Sequence, residues 1–193
     1  MARQPQFGVG KRRLAKGLGN VKTWLFYKRS FEGLMRRLGR TEFWNPIMAL
    51  TPDSASKTAR PTRSWTIVPQ GRGDLGDRMS LHLHAAPGPV VFIGTDLPDI
   101  SVTDIRMAFD ELERSDAVFG PAEDGGYWLI GLKKLPKTID PFHPVRWSSK
   151  HTLDDTIRNL GAGAKITLLD EREDIDDLDA FKRWSSARRK PCT

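Results

Sequence analysis

Apolar residues recur at three- and four-residue intervals through Val21, Trp24, Leu25, Phe31, Leu34, Met35 and Leu38, with Lys28 on the same stripe. This spacing predicts an amphipathic helix that ends near Gly39 and turns the stripe toward the core. Two short apolar runs, Ile47 to Leu50 and Trp65 to Val68, read as strands flanking a polar loop from Pro52 to Arg63. Asp74 to Ala85 reads as a helix stopped by Pro87-Gly88, and Val90 to Gly94 as a buried strand. Ser101 with Asp104 three residues later is a helix-start signal, followed by a buried face of Ile105, Ala108, Phe109 and Leu112. Ala117-Val118-Phe119 is the next strand, so this strand, helix, strand order implies a right-handed crossover in a parallel sheet, with Asp96 and Gly120 at one edge. Tyr127 to Leu132 is a further strand, either a hairpin partner or a crossing strand. A helix from Lys150 to Leu160, a strand from Lys165 to Leu169 and a helix from Asp177 to Ala187 follow. The alternation predicts an α/β chain, a three-layer α/β/α sandwich around a mostly parallel sheet, with residues 1–193 as a single domain.

Ligands in open α/β sheets bind beyond the carboxyl ends of the strands. The run Val90-Val91-Phe92-Ile93-Gly94-Thr95-Asp96 therefore delivers Asp96 to a candidate site, while Asp96 as a mere turn former before Pro98 is the plainer reading. Glu123 and Asp124 end the next strand, and carboxylates gathered near Asp96 would suit a magnesium ion between protein and diphosphate oxygens. Asp174 and Asp176 are candidates to join them. Asp177 and Asp179 read instead as complements to a helix dipole.

Composition narrows the classes. At 193 residues, with 38% hydrophobic and 28% charged residues, the chain has the make-up of a globular protein, and no apolar run approaches the roughly 20 residues of a membrane span. No secretory signal is read in Met1 to Gln6, and Cys192 has no second cysteine to pair with, so a cytoplasmic location is expected. The net charge is +7, with lysine and arginine concentrated before about residue 40 and after residue 181. Nucleic acid, an acidic membrane surface and phosphorylated small molecules all fit such a bias. Nucleic acid ranks last, because most aromatic residues fall at strand and helix positions that suggest core.

Gly8-Val9-Gly10-Lys11-Arg12-Arg13 sets glycines beside three cations just before a helix. Freed backbone N–H groups, a mobile ammonium and a planar guanidinium together suit phosphate oxygens, although a solvated basic face is the commoner fate of such a run. Gln70-Gly71-Arg72-Gly73-Asp74-Leu75-Gly76-Asp77-Arg78 is either a flexible connection or a loop whose Gln70 or Arg78 touches a nucleotide. His82, His84, His143 and His151 fit no zinc spacing, and no Gly-x-Ser-x-Gly elbow is present. Trp128 and Trp147 are able to stack on a base or sugar, but core packing is the usual place for tryptophan.

Six motifs occur in order: Pro5-x-x-Gly8-x-x-Lys11-x-Arg13-Leu14-Ala15, Gly73-Asp74-Leu75-Gly76-Asp77-Arg78-Met79, Gly94-Thr95-Asp96-Leu97-Pro98, Gly120-Pro121-Ala122-Glu123-Asp124-Gly125-Gly126-Tyr127-Trp128, Val145-Arg146-Trp147-Ser148 and Asp174-Ile175-Asp176. Together they resemble a bacterial family of glycosyltransferase A-type (GT-A) proteins related to 2-phospho-lactate guanylyltransferase and molybdenum-cofactor guanylyltransferase. The resemblance implies a nucleotide-diphospho-sugar transferase fold and a metal-dependent transferase using a nucleotide-activated donor. Glycosyl transfer is the leading expectation, with nucleotidyl transfer and an inactive binding protein as alternatives.

The resemblance further implies Mg²⁺ or Mn²⁺ held by Asp96 and Asp176. It implies a nucleotide held by Gly8, Lys11, Arg13, Gly73, Arg78 and Thr95, and catalysis by Asp96, Asp124 and Lys11. An acceptor pocket would be built from Glu123, Gly125, Gly126, Tyr127 and Trp147. The expected partners are a nucleoside triphosphate or nucleotide-sugar and a small-molecule acceptor, with no nucleic acid and no membrane span. The family pattern departs in three places here. Only Met1 to Gln4 precede Pro5, where the family has an apolar strand, so the first strand is expected to be truncated: either the true start lies upstream, or the sheet is incomplete and the loop poorly anchored. Arg12 stands for a threonine, and Asp177-Leu178 for a Thr-Pro.

Overall fold

The computed structural model describes residues 1–58, 64–134, 136 and 139–188. Cys192 and the end of the predicted Pro52 to Arg63 loop lie outside the described residues. Strands β1 (Ala2–Arg3), β2 (Ile47–Thr51) and β3 (Thr66–Pro69) form a parallel sheet in that order. Strands β4 (Val90–Ile93), β5 (Ala117–Pro121), β6 (Tyr127–Leu132) and β7 (Ile166–Leu168) form a second sheet in the order β4-β6-β5-β7. The amino group of Met1 donates to Ile93 O at 2.8 Å and so ties the edge of the first sheet to β4.

The first strand is short, as expected, yet it is firmly held. Ala2 and Arg3 pair with Leu50 and Thr51, Gln4 N donates to Thr51 O at 2.8 Å, and buried Gln70 donates to Ala2 O at 2.8 Å. The expectation of a poorly anchored loop is therefore overturned: side chains supply bonds that a longer strand would take from its ladder.

Alternation along the strands sends side chains to opposite faces. Val118 joins Ile105, Ala108 and Leu112 of α5 (Val102–Leu112) and Leu34 and Leu38 of α2 (Asn20–Leu38) on one face. Ala117 and Phe119 join Met79 and Leu83 of α4 (Leu75–Ala85), and Leu153 and Ile157 of α6 (Thr152–Asn159), on the other. These are the outer layers of the sandwich. A third cluster of Ala2, Met48, Leu50 and Ala55 closes the first sheet, Ala55 coming from a short helix α3 (Asp53–Thr58) inside the segment expected to be loop.

Helix boundaries follow their caps. Asp74 and Asp77 form a reciprocal capping box at α4, Ser101 and Asp104 form another at α5, and the Asp177 side chain accepts from Asp179 N and Ala180 N at the start of α7 (Leu178–Ala187). Helix α1 (Arg12–Leu18) precedes α2 across Gly19.

Two sequence expectations are corrected. The right-handed crossover does not join neighbouring strands, because β6 inserts antiparallel between β4 and β5 and pairs with both. Helix α2 is also turned from its apolar stripe: Val21 is 57% exposed, while Thr23, Tyr27 and Ser30 are buried. Of these, Tyr27 meets polar groups of the candidate site through its hydroxyl.

Candidate functional site

The carboxyl ends of β1, β4, β5 and β7 bring four segments together. Tyr27 marks the junction, since its hydroxyl donates to Arg3 O at 2.8 Å and lies 3.1 Å from Thr95 Oγ1. Beyond β1 the chain turns through Gly8 at φ 75° and Gly10 at φ 82° into Lys11, which holds φ 46° and ψ 44°. A left-handed lysine costs roughly 1–2 kcal/mol relative to its ordinary conformations and persists where its surroundings fix it.

Those surroundings are three oxygens. Lys11 Nζ lies 2.6 Å from Asp96 Oδ1, 2.8 Å from Asp176 Oδ1 and 2.9 Å from Ile175 O, and only 7% of the side chain is exposed. Burial opposes its charge, but the two carboxylates outweigh that and hold its pKa above the ordinary lysine value. Asp174 beside them has the opposite problem. Burial, then the fields of Asp96, Asp176 and Asp124, push its pKa up to about 7. Asp96, Asp174 and Asp176 thus gather around one ammonium with Asp124 near enough to act on Asp174, an excess of negative charge that a divalent cation would neutralise.

Asp124 belongs to the tight turn between β5 and β6, where its Oδ1 accepts from Gly126 N at 2.9 Å. Gly125 sits at φ 84° with the Lys150 backbone so close that a Cβ would lie 2.4 Å from Lys150 Cα. Exposed Glu123 is tethered through its N–H to Arg172 O at 3.2 Å. Arg172 in turn pairs with buried Asp104, at 3.0 Å from Nη1 to Oδ2, and covers the Trp128 ring at 4.3 Å.

The structure brings together Lys11, Thr95, Asp96, Asp124 and Asp176, and adds Asp174 and Tyr27. Arg13 is exposed on α1, and its field reaches Asp177. Gly73 and Arg78 are bound to each other, Arg78 Nε donating to Gly73 O at 3.1 Å while Arg78 Nη1 reaches Gln70 at 3.2 Å. That network abuts β1 through Gln70.

Tyr127 and Trp147 each keep a substantial packing role. Tyr127 packs edge-on against Phe119 at 5.6 Å with its hydroxyl buried, and burial raises its pKa. Trp147 lies tilted against Phe142 at 6.5 Å with its indole N–H buried. Both are half-buried and pack against the second core cluster.

A cavity of about 350 Å³ opens between the glycine loop and α2, lined among others by Gly8, Gly10, Lys11, Arg12 and Lys16. Thr23 Oγ1 and Trp24 Nε1, from residues lining the same cavity, are buried without hydrogen-bond partners. Spacing rules missed Thr23 and Tyr27 because they rank apolarity, whereas a buried hydroxyl within an amphipathic helix was the signal available.

The fold also assembles a group that the histidine spacing did not reveal. His143 Nε2 lies 3.3 Å from Asp77 Oδ1 and 3.7 Å from Asp74 Oδ1, and Asp140 holds His143 Nδ1 at 2.9 Å. The three residues Asp74, Asp77 and His143 offer ligand atoms within 4.8 Å of one another.

No curated protein matches the chain. Among solved structures it is similar to a protein from Desulfovibrio desulfuricans described provisionally as a nucleotide-diphospho-sugar transferase, with a TM-score of 0.81 and 23% identity over 98% of this chain and 85% of that one. It is also similar to 4-diphosphocytidyl-2C-methyl-D-erythritol synthase from Anaerococcus prevotii, with a TM-score of 0.62 and 10% identity over 83% and 89% of the two chains. Molybdopterin-guanine dinucleotide biosynthesis protein A from Archaeoglobus fulgidus follows, with a TM-score of 0.53 and 12% identity over 97% of each chain. At these identities the likeness shows the fold, that of nucleotide-diphospho-sugar transferases. No helix among the described residues is long and apolar enough to cross a membrane. The model of the bacterial family DUF2064, described as an uncharacterized protein conserved in bacteria, matches residues 34–149, well over half of the chain, and the protein belongs to that family.

Proposed function

We propose that the protein is a metal-dependent transferase acting on a nucleotide-activated donor, with glycosyl transfer from a nucleotide-sugar as its leading activity. The observation that carries this reading is Lys11, seated between Asp96 and Asp176 beneath a glycine loop and beside the protonatable Asp174. Excess carboxylate and a phosphate-sized loop with cations meet at one sheet edge, the place where open α/β sheets bind ligands. Mg²⁺ or Mn²⁺ would be held by Asp96 and Asp176 and would supply charge neutralisation on a diphosphate.

The chain's own groups do the rest. Backbone N–H groups of the Gly8 to Lys11 loop and the Lys11 and Arg13 side chains bind phosphate oxygens, while Thr95 and the Gly73–Arg78 pair flank the nucleotide. With Mg²⁺ or Mn²⁺ held by Asp96 and Asp176, the Lys11 ammonium would be free to pair with phosphate oxygens. Asp124, on the turn with Glu123, Gly125 and Gly126, accepts the proton of an acceptor hydroxyl. The acceptor is a small molecule bound along that turn.

A second reading, nucleotidyl transfer from a triphosphate, is favoured by Arg12 and Lys16 on the loop cavity, since they add cations for a third phosphate. Thermal shift with nucleoside triphosphates and nucleotide-sugars, each with and without metal, separates the two. Metal-dependent stabilisation by a nucleotide-sugar that is lost in Asp96→Asn supports glycosyl transfer, and stabilisation by triphosphates alone supports nucleotidyl transfer. A panel with no shift at all overturns both.

A further inference from the structure

The two basic ends of the sequence meet in space. Lys22, Arg29, Arg36 and Arg37 of α2 and Arg188 at the end of α7 line one groove of about 860 Å³ between the two helices. Among the described residues Lys22, Arg29 and Arg36 make no ion pair, while Arg37 donates through Nη2 to Pro98 O and keeps its Nε buried without a hydrogen-bond partner. Asp99, next to the lining residue Pro98, is already engaged by Arg188 at 3.2 Å and by the Trp184 indole. This charge lies apart from Lys11 and its carboxylates, and the proposed transferase site makes no use of it.

The floor of the groove is greasy. Phe26 meets Phe181 at 5.1 Å and Trp184 at 5.3 Å, both edge-on, and Leu18 and Leu25 flank them. Val21, one turn before Leu25 on the helix, is 57% exposed. A groove with cations on the rim and hydrocarbon below is complementary to an anionic amphiphile rather than to a bare anion. Nucleic acid fits it less well. Single strands bind through ring faces on which bases stack, and here the rings are turned edge-on into one another while Arg188 covers Trp184 at 5.1 Å.

We infer that the α2–α7 groove docks the protein onto a membrane surface by taking the headgroup and upper acyl chain of an anionic phospholipid. The docking is independent of the nucleotide and metal. Its strength comes from the cations near the surface, and it weakens as salt screens them.

Gly33 provides a test that leaves charge untouched. It lies within α2 on the groove, and a Cβ built there meets nothing within 4 Å, so Gly33→Leu fills the groove while favouring the helix. The experiment is co-sedimentation of the full chain with vesicles of phosphatidylcholine, alone or mixed with phosphatidylglycerol, alongside binding to a single-stranded DNA oligonucleotide.

The expected result is sedimentation only with the mixed vesicles. Affinity should fall at least about 25-fold for Arg29→Glu combined with Arg36→Glu, at about five-fold or more per charge reversed. Gly33→Leu should lose affinity several-fold. Should the double variant fail to fold, Gly33→Leu alone decides. Absence of wild-type binding to mixed vesicles overturns the inference, as does unchanged binding by Gly33→Leu. Tight oligonucleotide binding without vesicle binding overturns it in favour of nucleic acid.

Discussion

Lys11 Nζ stands 2.6 Å from Asp96 Oδ1 although Lys11 lies before the first helix and Asp96 beyond the fourth strand. The contact seats a fixed positive charge among carboxylates that repel one another. Replacing Lys11 by Met therefore removes more than an ion pair, because Asp96, Asp174 and Asp176 are left facing each other. Both partner carboxylates are about half exposed, so solvent moderates the loss, and about 1–3 kcal/mol is expected. Thermal unfolding of Lys11→Met should show this deficit in chelator, and added Mn²⁺ or Mg²⁺ should restore much of it. A variant as stable as the wild type in chelator would show that the carboxylates need no counter-charge.

Tyr27→Phe tests the junction of α2, β1 and β4. The phenol satisfies Arg3 O and meets Thr95 Oγ1, and its loss leaves both in a half-buried setting. A destabilisation of about 1–2 kcal/mol is expected in urea unfolding, together with weaker nucleotide binding from a loosened loop. Undiminished stability would mean that water replaces the hydroxyl at no cost.

Gly125 and Gly161 separate conformational strain from collision. Both hold φ near 85°, but a Cβ at Gly161 meets open space while one at Gly125 runs into the Lys150 backbone. Gly161→Ala should cost about 1 kcal/mol, and Gly125→Ala distinctly more, with a displaced Asp124 turn. Equal losses in denaturant unfolding would remove the collision from the account.

His143 gives the protein a slope in stability near neutrality. Partial burial opposes the charge of its imidazole, but Asp140, then Asp74 and Asp77, outweigh it and raise the pKa above the ordinary histidine value. A raised folded pKa contributes stability that is full below about 6.5 and is lost as pH rises through the folded value. The group is partly exposed, so the contribution is below about 1 kcal/mol. Melting temperature measured from pH 6 to pH 8.5 should fall less in His143→Gln than in the wild type. Parallel curves would assign the slope to other groups.

Much of this architecture is legible in the residues because each signal acts locally. Ser101 with Asp104, Asp74 with Asp77, and the Val90 to Ile93 run state their own caps and strands within a few positions. What spacing does not carry is pairing. Nothing between Gly120 and Tyr127 says that β6 will insert between β4 and β5, because that choice is made by strands distant in sequence. The candidate site divides in the same way. Asp96 and Asp176 are visible as carboxylates at strand ends, while the Lys11 bridge, the burial of Asp174 and the inward hydroxyls of Thr23 and Tyr27 exist only once α2 is rotated onto the sheet. Tyr127 and Trp147 are hard to assign from sequence because a large ring at a turn reads alike whether it faces a pocket or the core.

The two-residue strand β1 has a consequence for how the chain reaches this state. Ala2 and Arg3 leave the ribosome well before the residues they pair with, Leu50 and Thr51, and Met1 bonds Ile93 across 92 positions. The seam between the two sheets is therefore closed by a segment far in sequence from its partners. Closing so long a loop is slow, although each doubling of its length adds only about 0.6 kcal/mol. Without β1, β2 would become the edge of the first sheet, a row of unpaired backbone groups open to other strands, so these two residues also serve as a cover.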